Sequence, residues 1–182
     1  MSYLLLFFIA VIGLVFGSFL SVLVTRLDKK EGIVAGRSEC PNCYHKLGWY
    51  DLIPLFSFIF IGGRCHYCKH SISLFYPTVE LTTSLVLVSY FLFNGLVLNI
   101  SSFYHITLLV LLVSLIFFDY LYLILPDKIL VVMGLLALFF SIFYKPNELI
   151  HLFIFGFLFA LGFAIIYLVS KGGAIGFGDV KL

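Results

Sequence analysis

Two short cysteine motifs and a few carboxylates are the residues of this chain best suited to chemistry. Cys40-Pro-Asn-Cys43 and Cys65-His-Tyr-Cys68 are C-x-x-C pairs with 21 residues between them. Each pair presents two thiolates from one turn, and two such turns complete the tetrahedral four-sulfur set that zinc takes. Four thiolates leave no open position for water, so a metal held this way is structural rather than catalytic. Two disulfides or a redox dithiol are the alternatives for the same cysteines. His45, His66 and His70 stand beside the pairs, either as solvent-facing loop residues or as replacements for a cysteine ligand.

The chain has nine acidic residues, and a carboxylate at the end of an apolar span is costly enough to be a functional candidate. Asp119 closes the apolar stretch from Leu108 to Phe118 and is expected to be partly desolvated. Asp179 follows a segment with four glycines in seven residues, Gly172 to Gly178, whose backbone can approach a ligand or another helix closely. Asp127, after Pro126 and ahead of an apolar run, reads as a helix N-cap. Glu80 reads as the start of a span, where negative charge complements the helix dipole. Two carboxylates brought together share a proton, so that one acts as a general base on water and the other as an acid on a carbonyl. Asp119 and Asp179 would be the minimum equipment for aspartic peptide hydrolysis.

The elements that position these residues follow from composition. Of 182 residues, 63% are hydrophobic and 11% charged, which excludes a soluble globular enzyme because a core this small cannot hide so much apolar surface. The net charge of +2 is too small to suggest nucleic-acid binding. Four stretches of 16 or more residues lack Asp, Glu, Lys and Arg: Met1 to Thr25, Leu81 to Phe118, Ile129 to Tyr144 and Leu149 to Ser170. The second would make a helix nearly twice as long as the roughly 30 Å hydrocarbon layer is thick, so it must be two helices that turn at Asn94, Gly95, Asn99, Ser101 and Ser102. The expected fold is therefore an all-α polytopic membrane protein of about five transmembrane helices, with a small zinc-binding cytoplasmic loop domain between the first and second.

Direction comes from the basic residues. Seven of the 11 (Arg26, Lys29, Lys30, Arg37, Lys46, Arg64 and Lys69) fall in the loop after the first span. The positive-inside rule then places the amino terminus outside, and the loop, Asp119 and Asp179 at the cytoplasmic face. A reducing cytoplasm disfavours disulfides, and a loop of about 50 residues too small for its own core would draw folding free energy from a metal.

These residues together resemble the type IV prepilin peptidases, membrane aspartic proteases of the GxGD group. Gly13 to Val22 followed by Arg26-Leu27 is similar to that family's first span. The loop is similar in both cysteine pairs, in Trp49-Tyr50-Asp51-Leu52-Ile53-Pro54 and in Gly63-Arg64-Cys65. Tyr76-Pro77 with Glu80, Asp119 with Leu125-Pro126-Asp127, and Gly176-Phe177-Gly178-Asp179-Val180-Lys181-Leu182 complete the series in the family's order. Ser21 departs from it, standing where the family usually has Asn.

The resemblance implies an endopeptidase of the bacterial inner membrane that removes the basic leader of prepilins or pseudopilins. Many members then methylate the new amino terminus with S-adenosylmethionine. It implies Asp119 and Asp179 as the catalytic pair, Gly176 and Gly178 as the shapers of the second aspartate's turn, and Cys40, Cys43, Cys65 and Cys68 as zinc ligands. Glu80 and Asp51 are candidates for methyl transfer or for a structural role. The expected organisation is a first transmembrane helix (1–25), a zinc-binding loop domain (26–76) and a peptidase region (77–182). Family members continue past the GxGD segment, so that region is expected to be incomplete at its C-terminal end. The expected partners are a prepilin substrate and the lipid bilayer, with no nucleic acid. A catalytically inactive, zinc-stabilised membrane subunit that binds prepilin or assists assembly is the alternative of a different class, and an intramembrane protease for other targets is a third reading.

Overall fold

A computed structural model describes residues 2–26 and 37–170. Its long helices are α1 (Ser2–Arg26), α3 (Phe75–Asn94), α4 (Ile100–Tyr122), α5 (Asp127–Tyr144) and α6 (Leu149–Val169), with a short helix, α2 (Phe56–Phe60), among the described residues of the loop. Those five are long and apolar enough to cross a membrane. Among the described residues there are no strands, only the isolated bridges Glu39 to Lys46 and Arg64 to Ser71. The expected class, an all-α polytopic membrane protein, is the one observed.

The turn expected in the long apolar run is built by its polar residues. The Asn94 amide donates to the Tyr90 carbonyl at 3.0 Å as α3 ends, and Gly95 follows at φ 75°, where a side chain would be strained. Asn99 then caps α4, its Oδ1 accepting the Ser102 N–H at 2.8 Å.

Two helix starts differ by a few residues from expectation. Pro126, extended at ψ 115°, holds the N-cap position of α5, so Asp127 is the first helical residue rather than the cap. Its carboxylate still lies in the first turn, where the dipole favours it. Helix α3 begins at Phe75, because Pro77 in a first turn gives up an N–H that needs no intrahelical partner. Glu80 is thereby in the second turn, not at the start.

The chain forms two compact units, Met1–Phe117 and Phe118–Leu182. In the first, α1 and α3 run antiparallel at close range. A Cβ on Gly13 would lie 2.5 Å from the Ser84 Cα, and one on Gly17 the same distance from the Glu80 Cα. The Gly13-x-x-x-Gly17 spacing thus lets the backbones touch, as small residues do between membrane helices. The Ser84 hydroxyl donates across the seam to the Ala10 carbonyl at 2.9 Å. Leu20, Val79 and Val113 form one buried cluster, sealed by the edge-to-face pair Phe75 and Phe117. In the second unit, α5 and α6 are joined by a 3-10 turn over Pro146–Glu148 that carries an exposed Lys145–Glu148 ion pair. No residue of α6 is buried by protein, which suits a helix solvated by lipid.

Candidate metal centre and the carboxylates

The loop brings both cysteine pairs to one point. The four Sγ atoms of Cys40, Cys43, Cys65 and Cys68 all lie within 4.8 Å of one another, and none is joined in a disulfide. Cys40 Sγ is 3.8 Å from Cys68 Sγ. A zinc ion with bonds of about 2.3 Å at the centre of a sulfur tetrahedron requires edges of about 3.8 Å. The four sulfurs therefore fit zinc in chemistry and in size.

Two equivalent turns achieve this. The Cys40 N–H donates to the His45 carbonyl at 3.0 Å and Tyr44 N–H returns to the Cys40 carbonyl at 2.8 Å. In the second turn Cys65 N–H donates to the His70 carbonyl at 2.8 Å and Lys69 N–H to the Cys65 carbonyl at 3.0 Å. Tyr44 and Lys69, each four residues after the first cysteine of its pair, both take positive φ (55° and 60°). The isolated bridges close the two turns from outside. This internal repeat was legible only as two C-x-x-C motifs, because the residues at the positive-φ positions differ in type.

The thiols are electrostatically unequal. The His70 N–H outweighs the burial that opposes it and, helped by the Asn42 amide 3.7 Å from the sulfur, brings Cys68 down to about 6. At Cys40 burial raises the thiol, but backbone N–H groups of Cys43 and Asn42 outweigh it and leave it below its ordinary value. At Cys43 the His45 N–H favours the thiolate, yet partial burial and the neighbouring sulfurs push it up to about 11. Sulfurs packed this closely resist all becoming thiolates together, which a divalent cation at their centre would relieve.

A polar chain ties the metal loop to the segment between the pairs. The Tyr67 hydroxyl, inside the second cysteine pair, is 3.0 Å from that of Tyr50 and a long 3.4 Å from Asp51 Oδ2. Asp51 Oδ2 also accepts the Gly48 N–H at 3.0 Å, capping the 3-10 turn Trp49–Leu52. The His45 ring lies over that of Tyr67, their centroids 3.6 Å apart. Tyr50 and Asp51 belong to the Trp49 to Pro54 motif and Tyr67 to the second cysteine pair, but their meeting joins segments that no local pattern connects.

Glu80 is buried at 7% exposure, and its Oε2 accepts the Leu55 N–H at 2.7 Å. Leu55 has φ 60°, an uncommon conformation for leucine. Glu80 therefore fastens the loop to the α1–α3 pair at a strained point. Asp119 lies in the last turn of α4, which closes as Leu123, at φ 52°, donates its N–H to the Asp119 carbonyl at 2.8 Å. Its side chain is exposed on the protein surface. Asp179, with Gly176 and Gly178, lies outside the described residues.

The family model of the bacterial peptidase A24 N-terminal domain matches residues 11–93. A prepilin leader peptidase/N-methyltransferase of Bacillus subtilis is 32% identical over 182 residues, covering 94% of this chain and 68% of the relative. The protein of that name from Pseudomonas aeruginosa is 32% identical over 199 residues, with the same two shares. That of Myxococcus xanthus is 47% identical over 79 residues, 43% of this chain and 24% of the relative. The chain thus spans from about a quarter to about two thirds of the length of these curated relatives. No solved structure matches it.

Proposed function

The chain belongs to the prepilin leader peptidase/N-methyltransferase family, and on that premise we propose that it serves as an endopeptidase removing the basic leader of a prepilin or pseudopilin at the cytoplasmic face of the bacterial inner membrane. The observation that carries this reading is the similarity to two such enzymes along 94% of its length. The charge distribution along the chain supports the orientation, with the metal loop inside and the amino terminus outside.

Asp119 and Asp179 are the catalytic pair. With one ionised and the other protonated, the carboxylate takes a proton from water as its oxygen attacks the scissile carbonyl carbon, and the carboxylic acid gives its proton to the carbonyl oxygen. The tetrahedral diol collapses as a proton passes to the leaving nitrogen and the C–N bond breaks, releasing the leader's carboxylate and a new amino terminus. Gly176 and Gly178 stand two positions apart before Asp179 in the sequence, where the family resemblance assigns them to shaping the active-site segment. A prepilin's apolar helix, held in lipid, confines its scissile bond to the plane of these carboxylates.

Cys40, Cys43, Cys65 and Cys68 hold zinc as a structural ion, whose binding supplies folding free energy to the loop. S-adenosylmethionine would supply the methyl group for the amino terminus that cleavage exposes. Of the two roles open to Asp51 and Glu80, their hydrogen-bond partners support the structural one for both. In organisation, 1–25 is the first transmembrane helix, 26–76 the zinc loop domain and 77–182 the peptidase region. The deciding experiment incubates the protein in membranes with a prepilin and follows leader loss on a gel. Cleavage is expected; capture of prepilin without cutting would instead identify an inactive binding subunit.

A further inference from the structure

Between Asp51 and Arg64 the loop runs for 12 residues, Leu52 to Gly63, without a charge. An apolar stretch of that length is too short to span a bilayer and suits a core helix or an interfacial segment. It is not a core here. Helix α2 buries no residue, and Phe56, Ile59 and Phe60 are 51%, 64% and 84% exposed.

The depth of this segment follows from its tie to Glu80. Helix α3 has 20 residues, so it is about 30 Å long and needs its whole length to cross the hydrocarbon layer. Glu80 is its sixth residue, about 8 Å along the axis. Its carboxylate can reach back toward the N-terminus by at most about 5 Å, so Leu55, whose N–H it holds at 2.7 Å, lies at or below the plane at which α3 starts. An independent ruler agrees. Gly17 abuts Glu80, and Arg26, the first charge of α1, is nine residues further toward water, about 14 Å above that level. A segment fastened at this depth with Phe56, Ile59 and Phe60 facing outward meets lipid, not water.

We propose that Leu52 to Gly63 is a membrane-inserted lip of the metal loop, seated in the headgroup and acyl boundary of an anionic bilayer. Its apolar face would enter about 5–10 Å, as interfacial helices do. Exposed Trp49 and Tyr50 stand at its near end as interfacial aromatics. Exposed Arg64 and Lys69 stand at its far end, placed for lipid phosphates. Leu55 at its start and Gly62 and Gly63 at its end take positive φ and turn the chain in and out of the lip. Glu80 is the positioning residue that sets its depth.

The chain has one tryptophan, which makes the test direct. Phe60→Trp in a Trp49→Phe background is reconstituted in vesicles of phosphatidylglycerol and phosphatidylcholine carrying bromine either high on the acyl chain or near its end. Zinc content is measured on each sample, and Ile59→Trp in the same background serves as a second reporter. Bound zinc with quenching about twofold stronger by the high bromines than by the terminal ones, and weak quenching by aqueous acrylamide, is the expected result. Strong acrylamide quenching with none from bromolipid would overturn the proposal, since the lip would then be in water. Protection from both quenchers, or protection appearing only when a prepilin peptide is added, would overturn it as well, because protein would then cover the lip.

Discussion

Gly17 and Glu80 meet backbone to backbone: a Cβ on the glycine would stand 2.5 Å from the glutamate Cα. That close approach holds α1 against α3 at the level where the Glu80 carboxylate accepts the Leu55 N–H. One missing side chain thus seats a membrane helix pair and, through it, the cysteine loop.

Gly17→Ala should lower stability by about 1–3 kcal/mol, since the clash is with backbone that cannot swing away. At Gly134, within α5, an added Cβ would meet nothing within 4 Å, so Gly134→Ala should be neutral or stabilising by up to about 1 kcal/mol. Thermal unfolding of both variants in detergent compares them.

Glu80→Ala leaves the Leu55 N–H without its acceptor, at a cost of about 1–3 kcal/mol, whereas Glu80→Gln keeps an oxygen in place and should retain most of the stability. Leu55→Gly removes the strain of φ 60° and should recover about 1 kcal/mol in the Glu80→Gln background. Hydrogen exchange at the Leu55 amide, whose acceptor is Glu80 Oε2, would report loosening of the loop; equal protection in the Ala and Gln variants would contradict this account.

Cys40→Ser, Cys43→Ser, Cys65→Ser and Cys68→Ser should each abolish stoichiometric zinc, measured by chelator absorbance after denaturation. Ligation requires thiolates, so retained zinc should fall as pH falls. In the metal-free loop the thiolate of Cys68 is favoured in the folded state. Its contribution is complete above the ordinary thiol range and lost as pH falls through about 6. Metal-free loop stability should therefore decrease toward acid in that window, which hydrogen exchange at the loop can follow.

Asp119→Ala and Asp179→Ala should each eliminate leader cleavage, a loss of several orders of magnitude in rate. Asp127→Ala should cleave at close to the parent rate, because Asp127 serves its own helix terminus. Undiminished cleavage in either of the first two variants would sink the dyad assignment.

Much of the organisation is legible in local sequence. The Asn94 to Ser102 cluster marks the α3–α4 turn because amide side chains cap helix ends, and the cysteine pairs mark a four-sulfur site because thiolates on two turns suit one cation. Helix starts are less legible. A proline tolerated in a first turn let α3 begin at Phe75 and carried Glu80 inside it, and an extended Pro126 displaced Asp127 by one position.

By itself the sequence determined the membrane class, the number of long apolar helices and the four cysteines that the loop gathers. Hydropathy, helix length and ligand chemistry are sums or patterns over neighbours in the chain, and need no knowledge of the fold. Only the tertiary structure decided that Gly13 and Gly17 would receive Ser84 and Glu80, that Leu55 would be fastened 25 residues away by Glu80, and that Tyr67 would join Tyr50 and Asp51. Those relationships depend on the register and separation of packed segments. They are set by where side chains are absent and where a buried polar group must find its partner, conditions that exist only once the chain has closed on itself.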